Sequence, residues 1–302
     1  MSAYHQNPHS NLIPATSIGS LALGCIQEIN EATIRGIISR GIFIHTNTRW
    51  IVFLSYEQVP GPLTINVPAA KDFAISLLPG EHIVVQSGNL SFAEQLVVTT
   101  QHLHGWQPKA PTFSPELAAD RWERIVSAAN IIITKNKTEN LSVLLPYIMT
   151  ESNLGYQQPG EIPAWHSKIL SLLGNLNNQL SAAAFIDLLG TGPGLTPSAD
   201  DFIIGWLLAV NRWHPLLAAP ANMETFNKQF IAAAYQKTTT LSANLIECAA
   251  RGLADQRLVD ALDWLMVGIQ EGDQVIKNLL TWGNTSGVDA FVGFAAALCA
   301  DK

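Results

Sequence analysis

The sequence predicts an α+β protein, with a β-rich N-terminal domain over residues 1–112 and a mainly α-helical C-terminal domain over residues 113–302. Three observations carry that prediction. Short β-branched and aromatic runs, bounded by turn residues, fill the first hundred positions. A stretch holding Pro108, Pro111 and Pro115 and no periodicity then interrupts the chain. Beyond it, apolar residues recur at helical spacing almost to the C-terminus.

Gly41-Ile42-Phe43-Ile44-His45 and Trp50-Ile51-Val52-Phe53-Leu54 flank the polar stretch 46–49, which predicts a hairpin. Pro60-Gly61-Pro62 punctuates, and Leu63-Thr64-Ile65-Asn66-Val67 then alternates with period two, as a half-buried strand does. Pro79-Gly80 marks a further turn before the strands His82-Ile83-Val84-Val85 and Gln95-Leu96-Val97-Val98. Connections this short make the sheet mostly antiparallel. In the second half, Ser114 as N-cap and Pro115 in the first turn open a helix running to about residue 133. Further helices are expected over 142–149, 164–173, 179–189, 198–213, 223–237, 241–252, 256–268, 273–282 and 288–299.

Composition narrows the function. With 48% hydrophobic and 14% charged residues, the chain suits a compact enzyme or subunit and excludes a disordered or fibrous one. Its net charge of -7, with no basic block, argues against nucleic-acid or anionic-membrane partners. Cys25, Cys248 and Cys299 form neither a CxxC nor a Cys/His spacing, so they read as buried thiols in a reducing compartment. The N-terminus carries no basic region before an apolar stretch, and the apolar runs 202–210 and 291–300 are about half the length of a membrane span. A cytoplasmic protein is therefore expected.

The chemistry-bearing residues collect in the helical half. Gly190-Thr191-Gly192-Pro193-Gly194-Leu195-Thr196-Pro197-Ser198-Ala199-Asp200-Asp201 sets three glycines in five positions, which permits unusual backbone angles and close ligand approach. Ser198 is placed to cap the following helix, with Asp201 as the return half of a capping box. That helix is almost wholly apolar, so it belongs in the core. Free N–H groups at its start, behind a glycine-rich loop, make an anion site to which Thr191, Thr196 and Ser198 add hydroxyls. No lysine follows the glycines as in a Walker loop, and their spacing is not GxGxxG. Asp200 would repel an anion unless it points outward, binds Mg²⁺ beside a phosphate, or accepts from a substrate amide. Those three readings stay open, and no cofactor other than Mg²⁺ is suggested.

A second loop, Trp282-Gly283-Asn284-Thr285-Ser286-Gly287-Val288-Asp289, has the same parts, with Ser286 as cap and Asp289 as carboxylate. Ser198 to Gly205 and Ser286 to Gly293 both read SxxDxxxG, 88 positions apart. Thr238-Thr239-Thr240-Leu241-Ser242 again sets hydroxyls before a helix, a pattern that by itself is a cap. Each loop alone suits a capped helix start; the pair in one helical domain points to a shared site. The histidines are scattered, His102-x-His104 has no third ligand, and no GxSxG elbow occurs.

GTGPGLTPSADD followed by Thr238, Thr239 and Ser242 and then by Ser286, Gly287 and Asp289 resembles the AllH-like family, named for a subunit of bacterial oxamate carbamoyltransferase. The resemblance spans residues 190–293, with a looser likeness at Gly61-Pro62 and Trp106-x-Pro108; Ala199 stands where the family pattern has Gly. It implies a carbamoyltransferase-like enzyme that needs FdrA-like and other partner subunits, late in anaerobic allantoin breakdown. The complex would interconvert oxalurate plus phosphate with oxamate plus carbamoyl phosphate. Joined to the loop chemistry, it assigns catalytic roles to Asp200 and Asp289, as acceptors for ureido N–H groups. Thr191, Gly192, Gly194, Thr196, Ser198, Thr239, Ser242, Asn284, Thr285, Ser286 and Gly287 would bind phosphate and a carbamoyl or acyl substrate. Two alternatives remain beside it: a non-catalytic ligand-binding or scaffold subunit, and a stand-alone Mg²⁺-dependent hydrolase.

Overall fold

The β-branched runs of the N-terminal half pair into a ten-stranded sheet in the order β1-β9-β8-β7-β3-β4-β5-β6-β2-β10. The strands are β1 (Asn11–Pro14), β2 (Ser17–Gly19), β3 (Glu31–Ile38), β4 (Gly41–His45), β5 (Ile51–Ser55), β6 (Thr64–Asn66), β7 (His82–Gln86), β8 (Asn89–Phe92), β9 (Leu96–Thr99) and β10 (Gly105–Trp106). This computed structural model describes residues 11–72, 76–92, 96–113, 115, 119–135, 140–149, 164–173, 182–214, 216–217 and 219–300. The chain divides into two compact units, residues 1–108 and 109–302.

The expected hairpin is β4–β5, antiparallel with Ile42 opposite Leu54 and Ile44 opposite Val52, all four buried. β1–β9, β5–β6 and β2–β10 are parallel; the other pairs are antiparallel. The strands β1, β2, β3, β8 and β10 and a first helix escaped the sequence reading. β3 carries a register shift between Ile34 and Gly36, a bulge that breaks its period of two. The helix α1 (Ser20–Glu28) has Gly19 at its N-cap with no side-chain cap, and Gly24 inside it. Its first-turn amides, Leu21 and Ala22, instead donate to the Pro62 carbonyl at 3.1 and 3.0 Å.

The second unit is helical: α2 (Arg121–Lys135), a 3-10 turn (Leu141–Leu144), α3 (Leu145–Ile148), α4 (Ala164–Leu173), α5 (Ala182–Ile186), α6 (Ser198–Arg212), α7 (Met223–Lys237), α8 (Thr240–Ala250), α9 (Gln256–Val267), α10 (Gly272–Leu279) and α11 (Ser286–Cys299). Each overlaps a segment where the sequence predicts a helix; the expected cap at Ser114 lies outside the described residues. α6 and α11 are the core, buried from Ser198 to Val210 and from Gly287 to Leu298. Their contact is set by glycine. A Cβ on Gly205 would lie 2.0 Å from the Ala290 carbonyl oxygen, and one on Gly293 would lie 2.0 Å from that of Phe202. Each glycine of the SxxDxxxG echo thus packs on the residue that follows the aspartate of the other copy. The echo is a reciprocal helix contact.

Around this pair, Phe185 packs on Trp206 with ring centroids 4.3 Å apart. Arg212 forks onto Asp263 at 2.8 and 2.6 Å, and Trp213 Nε1 donates to the same carboxylate at 3.1 Å. Arg124 donates to the Leu265 and Met266 carbonyls at the end of α9, at 3.0 and 2.9 Å. Cys25 and Cys248 are buried and Cys299 is half-buried, and among the described residues none of them forms a disulfide. Among the described residues no helix is long and apolar enough to cross a membrane.

Candidate functional site

Three helix starts, those of α6, α8 and α11, meet at the glycine-rich loop. Thr196 Oγ1 and Ser286 Oγ are 3.3 Å apart, which joins the first loop to the second. Thr239 Oγ1 donates to the Leu195 carbonyl at 3.1 Å, and Thr238 Oγ1 donates to Asp200 Oδ2, which ties in the start of α8. Asp200 Oδ1 accepts the Gly190 N–H at 2.8 Å. From further away, the Leu141 N–H donates to Asp289 Oδ1 at 2.7 Å.

Gly192 and Gly194 have φ of 103° and 109°, angles that a side chain would strain. Around them the amides of Gly192, Gly194, Leu195, Thr196 and Ser198 have no acceptor among the described residues. The same holds for Gly283, Asn284, Thr285 and Ser286 in the second loop. Gly194, Leu195, Gly283 and Asn284 are exposed, so their amides face solvent or a ligand.

The capping box expected at Ser198 and Asp201 does not form. Pro197 is the N-cap of α6, and no side chain caps it. The reason lies in the donors: the Pro197 carbonyl takes the amides of Asp200 and Asp201 at 2.8 and 3.1 Å, and the Thr191 carbonyl takes that of Ala199 at 3.0 Å. Ser198 has little left to cap, and its Oγ is buried without a partner. α11 repeats the correction. Thr285, not Ser286, is its N-cap, and the Thr285 carbonyl accepts from Val288 and Asp289. Gly287 is a packing position: its N–H donates to the Trp282 carbonyl at 2.9 Å, and a Cβ there would lie 2.1 Å from the Leu279 carbonyl oxygen. At α8, Thr239 does cap, accepting the Ser242 N–H at 3.1 Å, while Ser242 Oγ is buried and unpartnered.

Beneath the loops lie Asp200, Asp201 and Asp289, each 0% exposed. Burial pushes Asp200 up, against the hydrogen bonds from Thr238 and Gly190 and the Ser242 hydroxyl. Asp201 is raised well above the usual carboxylate range, by burial first and then by the charges of Asp289 and Asp200, against the Ser286 and Thr196 hydroxyls. Burial lifts Asp289 to about 6, opposed by the Leu141 amide and by the nearby Ser198 and Thr285 hydroxyls. Among the described residues Asp201 Oδ1 and Asp289 Oδ2 have no hydrogen-bond partner. Asp200, the residue considered for Mg²⁺, has a hydrogen-bond donor on each oxygen. Among the described residues no three His, Cys, Asp or Glu side chains could hold a metal ion.

Sequence reasoning did not place the Leu141 amide or the correctly bounded helix α4 at the site, and it gave Thr238, named in the motif, no partner there. Trp165 Cζ3 would lie 3.4 Å from a Cβ on Gly192, and the His166 ring is 3.9 Å from that of Trp165. His166 is 1% exposed, both its nitrogens lack partners among the described residues, and burial lowers its pKa. No local pattern announces a backbone amide or a lone histidine as part of a site. No solved structure matches the chain. Residues 188–298 match the family model described as oxamate carbamoyltransferase subunit AllH, a stretch that holds all three converging helix starts, and over it the chain is AllH-like.

Proposed function

We propose that this chain is an anion-binding subunit of a carbamoyl- or acyl-transferase complex that exchanges oxalurate plus phosphate for oxamate plus carbamoyl phosphate. One observation carries the reading: two loops with unpaired backbone amides meet at 3.3 Å over the starts of two packed helices. Phosphate would sit against the amides of Gly192, Gly194, Leu195 and Thr196 on one side and Asn284, Thr285 and Ser286 on the other. Both helix starts face it with their positive ends. Donors held in place before the reaction would also stabilise the negative charge that develops on the carbonyl under attack. FdrA-like and other partner subunits would complete the substrate pocket.

The burial of Asp200 and Asp289 favours a second reading. Both are hydrogen-bonded to the chain's own backbone, so they hold the loops in place, and a partner would carry the chemistry. Two measurements separate the cases. Phosphate should raise the melting temperature of the chain more than chloride at equal ionic strength, and Gly194→Val should remove that difference. Oxalurate and phosphate should yield carbamoyl phosphate when the chain is mixed with its partner subunits. Equal stabilisation by both salts defeats the anion site; phosphate binding with unchanged turnover after Gly194→Val favours the scaffold.

A further inference from the structure

Asp201 differs from the other two buried carboxyl groups in its donors. Asp200 takes the Gly190 amide and Asp289 takes the Leu141 amide. Among the described residues neither a backbone N–H nor a cation reaches Asp201. Its neighbours are hydroxyls: Thr196 Oγ1, 3.1 Å from Oδ2, and Ser286. A hydroxyl donates to a carboxylate but accepts from a carboxylic acid. The charged groups acting on Asp201 are Asp289 from α11 and Asp200 from its own helix, both of its own sign. α8 brings Glu247, already bonded to Tyr235 and Arg251; the turn Leu141–Leu144 brings no titratable side chain; α4 brings His166, which has no partner. A carboxyl group so placed keeps its proton.

We propose that Asp201, as a carboxylic acid, is a positioning residue of the anion site. Its O–H donates to the Thr196–Ser286 hydroxyl pair, whose own protons then point outward to an anion at the mouth of the two loops. The hydroxyls are 3.3 Å apart, so one acid proton orders both. An ionised Asp201 would draw those protons inward and turn oxygen lone pairs toward the anion. A separate observation points the same way: among the described residues Ser198 Oγ, 1% exposed and beside Asp289, has no hydrogen-bond partner, nor do Asp201 Oδ1 and Asp289 Oδ2.

The inference rests on the anion-site reading, and sulfate, whose charge is constant around neutral pH, tests the two separately. Calorimetry on the full chain should show sulfate affinity falling once pH is raised far enough to ionise Asp201. Asp201→Leu should weaken binding about tenfold, the loss of one well-made hydrogen bond. Asp201→Asn, whose amide donates in place of the acid, should restore most of it and remove the pH dependence. Infrared spectra at neutral pH should show a protonated-carboxyl stretch that Asp201→Asn abolishes. That band reads the proton without any ligand, so it holds even if the Leu variant fails to fold. A band that survives Asp201→Asn, or a parent whose sulfate binding ignores pH, overturns the positioning role and leaves the anion site standing. A parent that binds no sulfate at any pH overturns both.

Discussion

The start of α6 and the start of α11 carry the same SxxDxxxG pattern and the same glycine contact, yet their aspartates live in different surroundings. Asp289 receives an amide from Leu141, 148 residues earlier, and is lifted to about 6. Among the described residues Asp201 receives only hydroxyls, and burial raises it well above the ordinary carboxylate range. A repeated local pattern therefore reproduces the helix start, because the backbone donors and acceptors there lie within one turn. It does not reproduce charge state, which depends on the donors that the rest of the chain brings. That difference makes one carboxyl a holder of structure and the other a holder of a proton.

The comparison breaks most visibly at the glycines. Gly293→Val should lower stability by about 3 kcal/mol, because its Cβ would meet backbone atoms of Phe202 and Trp206 that cannot rotate away. In a domain this size that is a loss of roughly 10 °C in melting temperature. Gly205→Val should do the same if the contact is truly reciprocal; a mild effect at one glycine alone would show that it is not. Next comes Asp200→Ala, which strands the Gly190 amide and the Thr238 hydroxyl. It should cost about 2 kcal/mol in denaturant melts and abolish the difference between phosphate and chloride.

Asp289 supplies the pH test. Its folded pKa of about 6 exceeds the unfolded carboxylate value of 3.8, so the folded state binds the extra proton. Stability should fall as pH rises from about 4 to about 6 and then level off, by roughly 3 kcal/mol if the whole shift is expressed. Asp289→Asn should flatten that slope while still accepting from Leu141. A slope unchanged in the variant would assign the loss to other groups. The smallest effects separate the hydroxyls. Thr239→Ala should cost about 1 kcal/mol as a working N-cap. Ser198→Ala, which breaks no bond, should stay within about 0.5 kcal/mol. A larger loss at Ser198 would restore the capping box.

Much of the fold is legible in local pattern. The β4–β5 hairpin follows from two apolar runs around a polar turn, and α4 and α7 span the residues that periodicity assigns them. The two loops declare themselves through glycine, threonine and serine spacing, and they do meet. What local pattern missed shares a cause. α1 has no cap residue because a carbonyl forty positions later receives its amides. Ser198 looks like a cap, yet the carbonyls of Pro197 and Thr191 reach the first-turn amides before it can. β3 reads poorly because a bulge interrupts the alternation that marks a strand.

By itself, then, the sequence determined the α+β order of the chain, the helix starts of the second half and the residues that gather at the glycine-rich loop. Those features rest on periodicity and on backbone preferences that act over a few residues. Only the tertiary structure decided that Gly205 and Gly293 would face each other's helices, that Gly287 would pack against the Leu279 carbonyl, and that among the described residues Asp201 would be left without an amide. The free energy of a buried polar group depends on which donors reach it, and here they arrive from segments far away in the chain: Pro62 for α1, Leu141 for Asp289, Thr238 for Asp200.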